Sequence, residues 1–153
     1  MELKLEKGTE EHIEDCIEAL ENSSLCVSYF DSYEIRHKAV VEAIESKELY
    51  VAIYNGNCAG FGYIIPEGAF HAFHYLHLFA VKDKYRGKGI GRKLLMHIEN
   101  QVFKERDKLF LVVGDYNPDA RKFYENNGYT FIGTIPGLYR EGIDEHLMMK
   151  KKH

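Results

Sequence analysis

A strand that runs straight into a glycine-rich turn and then into a long amphipathic helix is the feature of this chain that leaves the fewest architectures open. His74 to Val81 reads as a strand, and Lys82 to Gly91 follows with glycines at 87, 89 and 91. Beyond them Ile90, Leu94, Ile98 and Val102, supported by Leu95, recur at helical spacing. Such a turn leaves several backbone N–H groups without intrahelical partners. They converge on one spot with the positive end of the helix dipole, which makes a phosphate site. Spacing separates the loops that use this physics. A P-loop requires G-x-x-x-x-G-K-[ST], but no Ser or Thr follows Lys88 here. The dinucleotide fingerprint G-x-G-x-x-G finds Arg92 where its third glycine must stand. What remains is R-x-x-G-x-G, from Arg86 through Gly89 to Gly91.

The flanking elements fix the topology. Leu3 and Leu5 alternate with charges and read as a short strand, and Ile13, Cys16, Ile17 and Leu20 give a first helix beginning after Thr9. In a second helix Ile35, Ala39, Val40, Ala43 and Ile44 form the apolar stripe, with Glu34, Arg36, Lys38 and Glu42 on the wet face. Asn22 to Tyr33, between them, is rich in aromatics and lacks periodicity. Leu49–Tyr54 and Cys58–Ile65 flank Asn55-Gly56, whose tolerance of positive φ marks a hairpin. Leu109–Val113 is a buried strand, and Asn117-Pro118 reads as an N-cap followed by Pro at the first helical position of a helix that stops at Gly128. Strands near Phe131–Ile135 and His146–Lys150 close the order β-α-α-β-β-β-α-β-α-β-β. Hairpins combined with crossover helices imply an α/β protein with a mixed sheet and helices on both faces.

Composition narrows the function. At roughly 100–200 residues per domain, residues 1–153 are expected to form one domain. The longest apolar run, Leu49 to Tyr54, is too short to span a bilayer, and the N-terminus shows no apolar signal, so a cytoplasmic protein without membrane contact is expected. Cys16, Cys26 and Cys58 form no Cys-x-x-Cys and no paired framework, which fits free thiols. Twenty Lys+Arg against 24 Asp+Glu give a formal net charge of −4, which offers nucleic acid no basic field. The Lys150, Lys151, Lys152 run reads as a solvated tail. His71, His74 and His77 invite a metal reading, but on a strand His74 faces away from the other two and no thiolate or carboxylate completes a set, so no metal is expected.

The R-x-x-G-x-G turn resembles the acetyl-CoA signature [QR]-x-x-G-x-[GA] of the GNAT superfamily of N-acetyltransferases. Leu78-Phe79-Ala80-Val81 before it, Asn117-Pro118-Asp119-Ala120-Arg121-Lys122-Phe123-Tyr124-Glu125-Asn126-Asn127-Gly128-Tyr129 after it, and the element order over the whole chain extend the likeness. The resemblance implies a GNAT-like fold with a splayed central sheet. It also implies acetyl-CoA as cosubstrate, with the pantetheine arm laid along the backbone of Phe79, Ala80 and Val81. The pyrophosphate would rest on the N–H groups of Gly87, Lys88, Gly89, Ile90, Gly91 and Arg92, with positive charge from Arg86, Lys88 and Arg92. Asn117 matches the family's CoA-contacting Asn. Tyr124 matches the Tyr that protonates the departing thiolate, and as a group near CoA it counts among the cofactor contacts too.

One family feature is missing. Many members carry a Glu on the strand before that Asn as base toward the amine, whereas here the position is Val112. Presenting an alkyl amine of pKa ~10.4 neutral at pH 7 costs ~4.6 kcal/mol, so the proton needs a destination. Among His74, His77, Glu67 and Asp115, His77 has the best intrinsic pKa and lies on the same side of its strand as Phe79. By resemblance the acceptor pocket draws on the segments 29–34 and 135–145. Tyr29, Phe30, Tyr33, Tyr139 and Glu141 there suit a small cationic amine, and a peptide amine is the other acceptor considered. The expected activity is acetyl transfer to a primary amine by direct attack in a ternary complex, from a monomer or homodimer. The competing reading is a non-catalytic acyl-CoA sensor or interaction module on the same fold.

Overall fold

The structure, a computed structural model, describes residues 2–153. Seven strands, β1 (Leu3–Lys7), β2 (Leu49–Tyr54), β3 (Asn57–Ala69), β4 (Phe73–Val81), β5 (Lys108–Gly114), β6 (Thr130–Ile135) and β7 (Glu145–Lys151), alternate with five helices. These are α1 (Ile13–Asn22), α2 (Leu25–Tyr29), α3 (Tyr33–Glu45), α4 (Ile90–Val102) and α5 (Pro118–Asn126). The strands pair in the order β1-β2-β3-β4-β5-β7-β6. The pairing of β4 with β5 is parallel, whereas β1–β2, β2–β3, β5–β7 and β6–β7 are antiparallel, which is the mixed sheet expected. Among the described residues the β4–β5 register runs over two positions, His74 opposite Leu109 and Tyr75 opposite Phe110.

The chain divides into two compact units. The first comprises the chain up to Ile64 together with Leu78–Ile98. In it β3 is buried on both faces from Cys58 to Ile64, and a Cβ on Gly60 would stand 2.6 Å from the Ala80 carbonyl oxygen, so glycine here lets the end of β4 lie close against β3. Ile90, Leu94, Leu95 and Ile98 of α4 are buried, each side chain adding about 1.5–3 kcal/mol by leaving water. The Asn55-Gly56 hairpin forms as expected, with both residues at positive φ and the Asn55 Oδ1 accepting from the Glu2 N–H at 2.9 Å.

The second unit comprises Ile65–His77 and Glu99–His153. Its buried residues include Leu76, Leu109, Leu111, Val113, Met148, Tyr124 and Tyr129. Asn117 is the expected N-cap of α5: its Oδ1 accepts from the Ala120 N–H at 3.1 Å, with Pro118 next in line.

Several expectations need correction. The stretch 22–33 is not wholly irregular, because α2 supplies one helical turn; five residues are too few to leave a periodic signature, and Val27 within it is exposed. On α3, Ile35 is exposed while the Arg36 side chain is only 11% exposed, the reverse of the expected faces. The cause is local: Arg36 Nη1 donates to the Phe30 carbonyl at the end of α2 at 2.8 Å, and Nη2 lies 3.9 Å from Glu21. Strand β3 continues past Ile65 through Pro66 to Ala69, turning at Glu67 with φ of +54°. Lys150 is not part of a solvated tail: it lies in β7 and its ammonium meets Glu99 at 2.8 Å. Glu145 belongs to β7 rather than to the loop before it, and it is buried.

Candidate active site

The turn after β4 is anchored from one side and open on the other. Lys82, at the end of the strand, is 4% exposed in its side chain, and its Nζ lies 2.6 Å from Asp15 and 3.8 Å from Glu18. Burial works against the Lys82 ammonium, but the Asp15 hydrogen bond and charge, with Glu18 behind, outweigh it and hold the pKa above the usual lysine value. The Lys82 N–H donates to the Ala59 carbonyl at 2.8 Å, and the Asp83 N–H to Asn22 Oδ1 at 2.9 Å. Arg86 is occupied within the fold: Nε donates to Val81 O at 3.2 Å, Nη2 to Asn22 O at 3.1 Å, and Nη1 pairs with Asp83. Its guanidinium therefore ties the turn to α1 and β4, and its charge is partly offset by Asp83.

Past that anchor Gly87 and Gly89 stand at φ of +76° and +77°, a conformation that side chains disfavour, and a Cβ at either would meet no protein atom within 4 Å. The glycines are thus required by backbone conformation, and the space before them is open to a ligand. The Gly89 carbonyl accepts the first helical bond, from the Lys93 N–H at 3.2 Å. Ile90, Gly91 and Arg92 stand in the first turn of the 13-residue α4, and Lys88 and Arg92 are exposed. A strand edge, a positive-φ turn and a helix N-terminus with two exposed cations fit a diphosphate carried on an extended arm.

Along β4 burial alternates. His74, Leu76, Leu78 and Ala80 are buried, whereas Tyr75, His77, Phe79 and Val81 are half-buried on the other face. His74 is committed to structure. Its Nδ1 accepts from the Glu67 N–H at 3.4 Å, so Nε2 carries the proton that is donated to Glu105 at 3.1 Å. Glu67 faces Arg106 at 3.8 Å, and Asp115 Oδ2 accepts from the Asp144 N–H at 3.3 Å. His77 lies on the half-buried face with its ring 5.9 Å from that of Tyr75.

Tyr75 is a residue beside these candidates that sequence reasoning passed over. The hydroxyls of Tyr75 and Tyr139 are 2.7 Å apart. Burial first, and then that hydrogen bond, push the Tyr75 phenol far above its ordinary value. The alternation of β4 could have found Tyr75, two residues before His77. Glu145, at the end of the expected acceptor segment 135–145, sits opposite Gly114 and Ile135 in β7 and is 2% exposed. Tyr124 is 9% exposed, with its ring edge-on to Phe123 at 5.2 Å and to Tyr129 at 5.5 Å. Burial raises its phenol above the ordinary value, and the group is protonated at neutral pH.

The remaining acceptor candidates divide between the units. Tyr29, Phe30 and Tyr33 lie at the α2–α3 junction of the first, where the Tyr33 hydroxyl donates to Glu14 at 2.8 Å. Tyr139, with Tyr75, and the exposed Glu141 lie in the second. Cys16 and Cys58 are buried, and the Cys58 thiol donates to the Gly60 carbonyl at 3.8 Å. Among the described residues no group of three His, Cys, Asp or Glu is placed to hold a metal ion, and no helix is long and apolar enough to cross a membrane.

A mixed sheet with a strand, an open glycine turn and a helix N-terminus in sequence, followed by a capped helix carrying a buried tyrosine, is the arrangement that the resemblance to acetyl-CoA-binding acetyltransferases implies. The profile of the acetyltransferase (GNAT) family matches residues 17–129, and the chain belongs to that family, whose cosubstrate is acetyl-CoA. An uncharacterized N-acetyltransferase of Methanocaldococcus jannaschii is 38% identical over 105 residues, covering 67% of this chain and 65% of that protein's own length. The 5-NmdU N-acetyltransferase of Pseudomonas phage PaMx11 is 33% identical over 89 residues, 58% of this chain and 61% of the phage protein. Among solved structures, Arabidopsis thaliana Naa50 in complex with the bisubstrate analogue CoA-Ac-MVNAL matches with a TM-score of 0.75 and 27% identity over 99% of each chain.

Proposed function

We propose that this protein is an acetyl-CoA-dependent N-acetyltransferase that acetylates a primary amine, of a small cationic molecule, by direct attack in a ternary complex. The observation that carries the reading is the turn at Gly87 and Gly89, held from behind by Lys82 and Arg86 and open in front. When bound there, acetyl-CoA supplies the thioester whose acetyl group is transferred. The backbone of Phe79, Ala80 and Val81 binds the pantetheine arm and polarises the acetyl carbonyl. The N–H groups from Gly87 to Arg92 receive the pyrophosphate, with Lys88 and Arg92 adding charge, and Asn117 contacts the cofactor while capping α5.

The chemistry needs two proton movements. As the amine nitrogen bonds to the acetyl carbon and the C–S bond breaks, Tyr124 donates its phenolic proton to the departing sulfur. Burial raises the Tyr124 phenol, so it holds its proton until the thiolate forms. The proton lost by the amine goes to His77, on the half-buried face of β4, and from there to water. Acceptor recognition is assigned to the aromatic side chains of Tyr29, Phe30 and Tyr33 in the first unit and, in the second, to Tyr139, steadied by Tyr75, and to the charge of Glu141. The acceptor breadth among relatives runs from the peptide-like analogue bound to Naa50 to the phage enzyme's 5-NmdU. The acids near Tyr33 and Tyr139 favour a small cation for this chain.

The test is free-thiol release from acetyl-CoA over polyamines, amino acids, aminoglycosides and peptide N-termini, with Tyr124→Phe alongside. Turnover with a cationic amine and a loss in kcat of about 10²–10⁴ in the variant are expected. Acetyl-CoA binding with no turnover on any amine favours the sensor reading, to which Val112 in place of a carboxylate lends support.

A further inference from the structure

Glu99, Tyr129 and Lys150 form a buried polar triad that the reaction does not use directly. Glu99 and Tyr129 are each 4% exposed, and the Lys150 side chain 14%. Both carboxylate oxygens are engaged: Oε2 accepts from the Tyr129 hydroxyl and Oε1 from the Lys150 ammonium, each at 2.8 Å. A buried ion pair adds little stability over apolar side chains of the same shape, whereas removing one partner alone is costly. Stability therefore gives no reason to prefer this triad over three hydrophobic residues. A fixed position for whatever the triad holds is the better account.

It holds the C-terminal end of α5. The N–H groups of Asn127 and Tyr129 both donate to the Tyr124 carbonyl at 3.0 Å, with Gly128 between them at φ of +94°. The Tyr129 ring stands edge-on to the Tyr124 ring, the centroids 5.5 Å apart and the planes at 70°. A Cβ on Gly128 would meet Lys150 Cε at 3.2 Å, so the lysine closes the outer side of the same turn. Tyr124 is thus gripped by main chain and ring through one residue, and that residue's hydroxyl is fastened to Glu99.

We propose that the Glu99–Lys150 pair, acting through Tyr129, is a positioning device that sets the Tyr124 hydroxyl for proton donation. This rests on the reading of Tyr124 as the acid. Glu99 and Tyr129 are positioning residues, and neither is assigned any contact with substrate.

The experiment is a double-mutant cycle on the full chain, with acetyl-CoA turnover and acetyl-CoA KM as readouts. Tyr129→Phe should lower kcat about 5- to 30-fold with KM for acetyl-CoA within about twofold, because ring packing survives while the anchor to Glu99 is lost. In the Tyr124→Phe background the same change should cost less than about twofold, since no hydroxyl remains to position. An effect of Tyr129→Phe that persists undiminished in that background, or a single-variant loss under twofold, overturns the proposal and leaves the Tyr124 reading intact. A loss under threefold for Tyr124→Phe alone instead overturns that reading, and the proposal with it. If Tyr129→Phe does not fold, the isosteric Glu99→Gln carries the same cycle with the same expectations and the same refuting outcomes.

Discussion

Gly89→Glu separates binding at the turn from integrity of the fold, and its magnitudes follow from the local geometry. Gly89 is at φ of +77°, where a residue bearing a Cβ costs about 1–2 kcal/mol, and nothing lies within 4 Å of the added atom, so no clash adds to that. For a chain of this length ~1 kcal/mol moves Tm by about 2–4 °C, so a fall of roughly 2–8 °C is expected. Binding should suffer more. A carboxylate about 6 Å from a pyrophosphate, at an effective dielectric of about 40–80, costs ~0.7–1.4 kcal/mol for each of two negative charges. Together that is ~1.4–2.8 kcal/mol, or roughly 10- to 100-fold in Kd, before any loss of N–H contacts from the displaced backbone. Gly89→Ala carries the strain without the charge and should fall between wild type and Glu. Titration calorimetry with acetyl-CoA, beside thermal denaturation, measures both quantities. Raising salt should narrow the gap between the Glu and Ala variants, since only that part is Coulombic. A folded Gly89→Glu protein with unchanged acetyl-CoA affinity refutes the assignment of the turn.

Three further outcomes are expected. Tyr75, Tyr124 and Tyr129 all have folded-state pKa values above the unfolded value near 10, so the stability linked to their protonation is complete below about pH 10 and is lost as pH rises beyond it. Each steepens the loss by ~1.4 kcal/mol per pH unit, and denaturant titrations from pH 9 to 11 should show the slope fall in Tyr75→Phe. Arg86→Ala releases Val81 O, Asn22 O and Asp83 together, and should weaken acetyl-CoA binding about 3- to 10-fold, mostly through a looser turn; an affinity unchanged by calorimetry would show that the anchor is dispensable. With the best amine, kcat/KM should rise with pH through the neutral range, and His77→Gln should lower it; a flat profile from pH 6 to 9, or anionic acceptors outrunning polyamines, would contradict the acceptor-side reading.

What could be read from the sequence divides by the range of the physics involved. The glycine turn, the Asn117 cap and the Asn55-Gly56 hairpin are set by residues a few positions apart, and each is found where spacing places it. Arg86 shows where that reasoning ends: its charge beside the glycines suggests a phosphate, but its hydrogen-bond partners are Val81 O and, across the turn, Asn22 O. Lys150 makes the same point more sharply. In a run of three lysines at the end of a strand it looks solvated, yet the carboxylate that buries it lies 51 residues earlier in the chain. Tyr75 was within reach, because strand alternation aligns it with His77 and Phe79, but its meaning depends on Tyr139, 64 residues on. The missing carboxylate at Val112 belongs to this second group. A proton acceptor need not stand on the same strand, and the proposed one, His77, lies on the half-buried face of β4. Motif spacing thus locates where a diphosphate can rest, a question of backbone geometry. Where the protons go depends on side chains that only tertiary pairing brings together, which is why Tyr124, inside a motif, was legible as the proposed donor and its proposed anchor, Tyr129 on Glu99, was not.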